Sequence, residues 1–247
     1  MDFVAEITLN RPENFNTFNT PLATELYQVF EALDADDRVR VLLLKGCRPG
    51  FAGIDISDFS GKSVMEYRRW IEIMERPLVV ISRMSKPVLV QVHGVAAANG
   101  AGLVAAADLA VAGESARFGL TAINVGLNCI GPVIPVTRSV GRKKALELLF
   151  YGDLISAKEA LAMGLVNRVV ADADLDKETR NWAAILAGKS PQALQIAKKA
   201  FYGAADMDYY KAFDYMNEAF ARLCATDDAK EGISAFMEKR SPEWKLK

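Results

Sequence analysis

Apolar runs and helically spaced apolar positions alternate along the first half of the chain. Apolar runs predict buried strands at residues 39–45 and 87–92, and a weaker alternation predicts a strand at 3–9. Since this first strand begins almost at Met1, we expect an earlier strand of the same sheet to be missing from the chain. The alternation of strands with helices predicts an α/β fold.

Two helices are predicted in the first half of the chain, at residues 20–33 and 63–84. Thr20 is expected to cap the first helix, with Pro21 in its first turn. Pro77 is expected to break or kink the second helix, because proline lacks the N–H that a helix interior needs.

The chain beyond Gly141 is predicted to be nearly all helix, at residues 143–151, 156–163, 173–189, 191–203, 207–224 and 227–239. We therefore divide the chain into a core at residues 1–190 and a C-terminal helical region at residues 191–247. We find no internal sequence repeat.

The composition excludes several classes of protein. The 247 residues are 51% apolar and 25% charged with a net charge of −1, which argues against a nucleic-acid-binding or membrane-surface protein. The three cysteines are widely spaced with no Cys-x-x-Cys pair and there is a single histidine, so we expect no zinc site. No apolar stretch is long enough to predict a transmembrane helix, so we expect a protein of the reduced cytoplasm.

A turn of small residues at 94–104 follows the predicted strand at 87–92 and opens a new helix. Small residues allow a backbone N–H to approach a ligand closely, and the N-terminus of a helix carries partial positive charge. This turn is therefore suited to hold a developing oxyanion.

Three motifs in order carry a resemblance to a known family. They are Gly50-Phe-Ala-Gly-Ile-Asp-Ile56, the turn His93-Gly-Val-Ala-Ala-Ala-Asn-Gly-Ala-Gly102, and Ala116-Arg-Phe-Gly119 followed by Asn124-Val-Gly-Leu127. With the later Gly164-Leu-Val-Asn167, this sequence resembles the crotonase superfamily of enoyl-CoA hydratases and isomerases. The resemblance extends over residues 3–244.

The resemblance implies a spiral of ββα units with C-terminal helices that form trimers or hexamers. It implies an acyl-CoA substrate, with coenzyme A as part of the substrate and no separate cofactor or metal. The backbone N–H groups of Ile54 and Asn99 are the implied oxyanion hole. The implied substrate-binding residues are Phe15, Ala52, Asp55, Ile56, Trp70, Gly100, Gly102, Ala122 and Asn124, with Phe220 and Lys239 from a neighbouring subunit.

The chain departs from the family at its acidic positions. Hydratases of the family carry glutamates where this chain has Gly102 and Ala122, and a third acidic position of the family is Ile130 here. The first loop is also one residue shorter than the family pattern. The sequence thus resembles a branch without the usual glutamate pair, in which hydration is expected to be slow.

Three functions remain open. The first is enoyl-CoA hydration or isomerisation, for which Asp58, Glu66 or Glu72 could supply a carboxylate. The second is decarboxylation or thioester hydrolysis that uses the oxyanion hole without a glutamate. The third is binding of acyl-CoA without catalysis.

Several candidate residues also have a purely structural interpretation. Asp55 is expected to cap the helix that follows its loop, and Asn99 is an expected left-handed residue at the turn. Cys129 is expected to be a buried, unreactive thiol, and Asn124 is as suited to a turn as to substrate binding.

Overall fold

A five-stranded parallel sheet forms the centre of the computed structural model, which describes residues 3–47 and 50–245. Its strands are β1 (Val4–Leu9), β2 (Val41–Gly46), β4 (Val88–Val92), β6 (Leu109–Gly113) and β9 (Arg168–Val170), in the spatial order β1-β2-β4-β6-β9. β2 pairs with β4 in the register Leu42 to Val88 and Leu44 to Val90. The predicted strands are confirmed, but β9 lies in a segment that we expected to be nearly all helix.

This sheet is buried on both faces. Leu42 and Leu44 of β2 belong to the main apolar core, whereas Val41 and Leu43 face a second cluster under α7 (Leu175–Ala187). Because both faces need apolar side chains, the strands are continuous apolar runs and do not alternate with polar residues.

Three consecutive ββα units build the spiral. Each central strand β2, β4 and β6 is followed by a short strand, β3 (Gly50–Phe51), β5 (Val95–Ala97) and β7 (Arg117–Gly119) respectively. A helix completes each unit: α2 (Val64–Ile81), α3 (Asn99–Ala106) and α4 (Val133–Val140). The short strands form a second sheet with β8 (Ile155–Ser156), in the order β3-β5-β7-β8. The fold thus repeats the ββα unit that the resemblance implied, without an internal repeat in the sequence.

The predicted cap of the first helix is wrong, and of the two effects predicted for Pro77 the break does not occur. The cap of α1 (Thr20–Ala35) is Asn19, whose side chain accepts a hydrogen bond from the N–H of Leu22, and Thr20 is the first helical residue. Pro77 does not break α2, which continues to Ile81.

The remaining helices are α5 (Arg142–Tyr151), α6 (Ala157–Ala162), α8 (Pro191–Ala204), α9 (Tyr209–Cys224) and α10 (Asp227–Glu238). Lys198 of α8 is buried, and its Nζ forms an ion pair with Oδ2 of Asp108 at 2.6 Å, which connects α8 to the core. α9 and α10 pack mainly against α8 and against each other. The part of the chain that the structure describes contains no helix with the length and apolar character needed to cross a bilayer.

Candidate active site

The loop after β3 and the N-terminus of α3 lie against each other. β3 pairs with β5 in the register Phe51 to Ala96, which places residues 52–54 beside the turn that opens α3. A Cβ atom added to Gly53 would lie 2.9 Å from the Cβ of Ala98. One added to Gly100 would overlap the backbone carbonyl of Phe51. Both positions therefore require glycine, and the two segments are fixed at van der Waals distance.

The segment that precedes α1 holds the loop of Ile54 from its other side. The N–H of Phe18 donates to the carbonyl of Gly53 at 2.9 Å, and the N–H of Asp55 donates to the carbonyl of Phe18 at 2.9 Å. The N–H of Ala52 donates to the carbonyl of Phe15, also at 2.9 Å. These bonds leave the N–H of Ile54 facing away from the segment that holds the loop.

Asn16 and Arg11, which our sequence analysis did not single out, tie these segments together. The fully buried amide of Asn16 donates to the carbonyls of Cys47 and Gly50 at 2.7 and 2.6 Å and accepts from the N–H of Arg11 at 2.7 Å. The guanidinium of Arg11 donates to the carbonyl of Thr17 and to the carboxylate of Asp55. Nothing in the sequence around Asn16 distinguishes it from Asn14 or Asn19, so its burial had to come from the structure.

Asp55 caps the short 3₁₀ turn at residues 56–58. Its carboxylate accepts from the N–H of Ser57 at 3.1 Å and pairs with Arg11 at 3.1 Å. The hydrogen bonds from Ser57, followed by those from Arg11, hold the pKa of Asp55 below its ordinary range. The predicted capping role is confirmed.

Asn99 is the first residue of α3, so the structural alternative of a left-handed Asn99 is wrong. The residue with positive φ is its neighbour Ala98, with φ 48° and ψ −114°. A non-glycine residue held at such angles costs about 1–3 kcal/mol. The buried side chain of Asn99 donates from Nδ2 to the carbonyl of Met74 on α2, at 3.3 Å.

The N–H groups of Ile54 and Asn99 remain available as donors. Among the described residues, no backbone or side-chain acceptor is hydrogen bonded to either group. A buried or half-buried N–H without an acceptor is rare in folded proteins unless a ligand or water meets it. Ile54 is half-buried and Asn99 is buried, so the pair can serve a ligand oxygen.

The positions without glutamate differ in how much space surrounds them. A Cβ atom at Gly102 would lie 2.8 Å from both the Leu78 side chain and Cβ of Pro132, so these two residues fill the space that a glutamate needs. Ala122 is half-buried in the 3₁₀ turn at 121–125, and Ile130 is 76% exposed.

The alternative acidic residues named from the sequence are engaged elsewhere. Glu66 forms a capping box with Ser63 at the start of α2, and Glu72 pairs with Arg68 on the helix surface. The side chain of Asp58 lies outside the described part of the structure.

The remaining candidates on this side of the chain form the rim of the loop. Phe15 and Ile56 are 60% and 56% exposed, and Ala52 is half-buried. Trp70 of α2 is half-buried and packs in an aromatic group with Phe59 and Tyr67. An exposed apolar rim can accept an acyl or adenine group.

Two further candidates have structural partners. The amide of Asn124 donates to the carbonyl of Gly152 at 3.1 Å and so fastens the turn that follows α5. Burial raises the pKa of the Cys129 thiol, which agrees with the predicted unreactive thiol.

Phe220 and Lys239 stand apart from the loop and the turn within one chain. Phe220 lies on α9 and is 66% exposed. Lys239 is the exposed left-handed residue that ends α10. Neither α9 nor α10 packs mainly on the ββα units, so the structure does not bring these two residues to the loop and the turn within one chain.

The spiral of ββα units with two available N–H groups at its second sheet defines a crotonase-like α/β protein. A model of the enoyl-CoA hydratase/isomerase family matches residues 2–247. The human mitochondrial enoyl-CoA hydratase domain-containing protein 3 is 33% identical, over 99% of this chain and 81% of that protein. The short-chain-enoyl-CoA hydratase of Clostridium acetobutylicum is 30% identical, over 97% of this chain and 93% of its own length.

Solved structures agree with these relatives. An enoyl-CoA hydratase from Mycobacterium smegmatis has a TM-score of 0.94 at 38% identity, over 98% of this chain and 95% of that one. Human enoyl-CoA hydratase domain-containing protein 3 also has a TM-score of 0.94, at 32% identity over 99% of this chain and 97% of that one. The chain belongs to the enoyl-CoA hydratase/isomerase family and is an enzyme of that family.

Proposed function

We propose that the protein binds an acyl-CoA thioester and stabilises its enolate between the N–H groups of Ile54 and Asn99. The observation that carries the proposal is that these two N–H groups have no acceptor within the described chain, while the backbone around both is fixed. Fixed donors act strongly on charge that develops during a reaction, because they need no reorganisation at that moment. One donor of this kind is worth roughly 3–4 kcal/mol.

The rim of the loop supports a CoA thioester as the ligand. Phe15 and Ile56 offer exposed apolar surface beside the loop, and Trp70 lies on the helix that follows it. Asp55 supports the loop through its own hydrogen bonds and acts as a structural residue in this proposal. Coenzyme A enters as part of the substrate, with no other cofactor.

Calorimetry with butyryl-CoA and with free CoA tests the proposal. We expect micromolar or tighter binding of the thioester and weaker binding of free CoA, which lacks the thioester carbonyl that the two N–H groups would bind. Absence of heat and of any thermal shift with several acyl-CoAs at millimolar concentration would contradict the proposed function.

A second candidate function is decarboxylation of a carboxylated acyl-CoA. It is favoured by the absence of an ionisable residue at Gly102, Ala122 and Ile130, since loss of CO₂ needs an oxyanion hole but no glutamate base. Release of CO₂ from methylmalonyl-CoA would support it, and thioester hydrolysis would show as free CoA. Tight binding without any turnover would favour an acyl-CoA-binding protein.

We also propose that the chain works as a homotrimer or hexamer, in the cytoplasm. The outer surfaces of α9 and α10 expose a set of large apolar side chains: Tyr209, Tyr210, Phe213, Met216, Phe220, Ile233, Phe236 and Met237. Many large exposed apolar side chains on neighbouring helices are typical of a subunit interface. Light scattering should give three or six times the chain mass of 27.0 kDa, and a monomer at micromolar concentration would contradict this.

A further inference from the structure

Glu75 of α2 reaches the place where three helices of the site meet. Its carboxylate lies directly over Gly131, so that a Cβ atom added to Gly131 would overlap both carboxylate oxygens. Gly131 immediately precedes Pro132, the residue that fills the space beside Gly102. The carboxylate therefore lies next to the position from which a family hydratase presents its glutamate, but it comes from another helix.

The same face of α2 contacts the oxyanion turn. Met74, the neighbour of Glu75, accepts the side-chain hydrogen bond of Asn99. Leu78, one turn further along, contacts the Cα side of Gly102 in α3. Glu75 thus lies on a helix that is hydrogen bonded to Asn99 and packed against Gly102. These two contacts fix the position of Glu75 relative to the two N–H groups.

The environment of Glu75 differs from that of the other acidic residues of α2. Glu75 is half-buried, and burial raises its pKa above the ordinary value, with no cation among the described residues to oppose this effect. Glu66 and Glu72 are exposed and are engaged with Ser63 and Arg68. A desolvated carboxylate without a partner is a stronger base than an exposed one.

One side of Glu75 opens to solvent through a groove of about 940 Å³ between α1 and α2. Residues 131–134, which lead into α4 next to Glu75, are glycine, proline and aliphatic residues. The titratable and charged groups that line the groove with Glu75 are Tyr27, Glu31, Asp34, Glu72, Arg76 and Arg83.

We propose that Glu75 is the catalytic residue that transfers protons to and from the acyl chain, and that the net reaction is a double-bond shift in a 3-enoyl thioester. This inference rests on the proposed function, since the N–H groups of Ile54 and Asn99 must hold the enolate. Carboxylate Oε removes a proton from C2, and the electron pair of that C–H bond moves into the enolate. The same carboxyl group then returns the proton to C4 as the C2=C3 bond forms.

A double-bond shift fits a site with one carboxylate. The proton that leaves C2 is the proton that C4 gains, so no water, oxidant or second acid is consumed. Hydration, in contrast, needs a water molecule that is held and deprotonated beside the enolate, which a second carboxylate would normally do.

The experiment compares the unmodified protein with Glu75→Gln, Gly131→Ala and the control Glu72→Gln. Deuterium uptake at C2 of butyryl-CoA in D₂O, followed by NMR, reports proton removal alone. Conversion of 3-hexenoyl-CoA to the conjugated 2-enoyl thioester reports the complete shift by absorbance. Calorimetry with butyryl-CoA reports binding, and thermal unfolding reports the fold.

In Glu75→Gln, we expect both rates to fall by about 10²–10⁴-fold while butyryl-CoA binding is retained. Gly131→Ala should also lower both rates, because its methyl group displaces the Glu75 carboxylate without removing it. Glu72→Gln should leave both rates unchanged. Deuterium uptake by the unmodified protein should decrease as the pH falls through the raised pKa of Glu75, because only the ionised form is a base. A glutamate that merely stabilised α4 would change the unfolding temperature without changing this pH dependence.

The outcomes separate the two proposals. Deuterium uptake that persists in Glu75→Gln, or an unmodified protein that binds butyryl-CoA without taking up deuterium, overturns the role of Glu75 and leaves the oxyanion hole standing. An unmodified protein that binds no acyl-CoA overturns the proposed function, and the role of Glu75 with it.

Discussion

The proposed oxyanion side and the proposed carboxylate side of the site are built in different ways. On the first side, the positions of the Ile54 and Asn99 N–H groups depend on backbone hydrogen bonds and on two glycines in tight contact, Gly53 and Gly100. On the second side, the two glutamate positions that the resemblance to the hydratases implies hold Gly102 and Ala122, and the third acidic position of the family holds Ile130. A backbone N–H group that is fixed by many contacts keeps its position when the side chains around it change. A catalytic carboxylate depends on one side chain, which can be lost, or which another helix or loop can supply.

The largest effect is expected at Asn16, because the backbone around Ile54 depends on this one buried side chain. Asn16→Ala removes two donors and one acceptor from the contact between the 11–18 segment and the loop after β2. Each buried backbone group left unsatisfied costs about 1–3 kcal/mol, so we expect a loss of about 3–5 kcal/mol in the free energy of unfolding. Urea denaturation measures this loss, and butyryl-CoA binding should weaken with it.

Asn124→Ala is the matched control for this substitution. Its amide makes one hydrogen bond, at an exposed turn, so we expect a loss below about 1 kcal/mol. Equal losses for the two variants would show that Asn16 does not organise the site.

An intermediate effect is expected on the carboxylate side. The unmodified protein should hydrate crotonyl-CoA slowly, and Ala122→Glu should raise that rate by at least about tenfold, because a general acid or base contributes about 10²–10⁴-fold when well placed. Ala122→Gln has the same size without the charge and should not raise the rate. Loss of the crotonyl-CoA absorbance measures hydration.

Gly102→Glu sharpens the comparison, because the family places a glutamate there. In this chain the new Cβ would collide with Leu78 and Pro132, so we expect destabilisation by about 1–3 kcal/mol and no gain in hydration. A Gly102→Glu variant that is stable and hydrates faster than Ala122→Glu would show that the pocket beside α3 is open.

The sequence indicated the two segments that the structure brings together around Ile54 and Asn99, because the signals of both segments are local. Small residues at 94–104 and the motif around Ile54 both lie within short segments, and the strands that position them are strongly apolar. The short strands β3 and β5 were missed because two or three residues cannot show a period of two. Their pairing with each other depends on contacts between distant segments.

The carboxylate side could not be predicted in the same way. Contact between Gly102 and Pro132 joins residues that are far apart in sequence, and nothing near Gly102 indicates that Pro132 fills its space. Glu75 was missed because it resembles the other acidic residues of α2 until the position of Gly131 is known. The available signal was an acidic residue next to Met74 and one turn before Leu78, on the apolar side of the helix.

The smallest effect is expected at Asp55, the titratable residue that follows Ile54 in its loop. Asp55→Asn removes the ion pair with Arg11 and weakens the cap of the 3₁₀ turn, for an expected loss of about 1 kcal/mol at pH 7. The folded protein holds the pKa of Asp55 below its ordinary range, so the ionised carboxylate stabilises the fold at pH values above that range. This stabilisation is lost as the pH falls through the lowered pKa of the folded state. Urea denaturation of both proteins at pH 7 and pH 3 should therefore show a difference that becomes smaller at pH 3, and a difference independent of pH would show that the charge of Asp55 does not support the Ile54 loop.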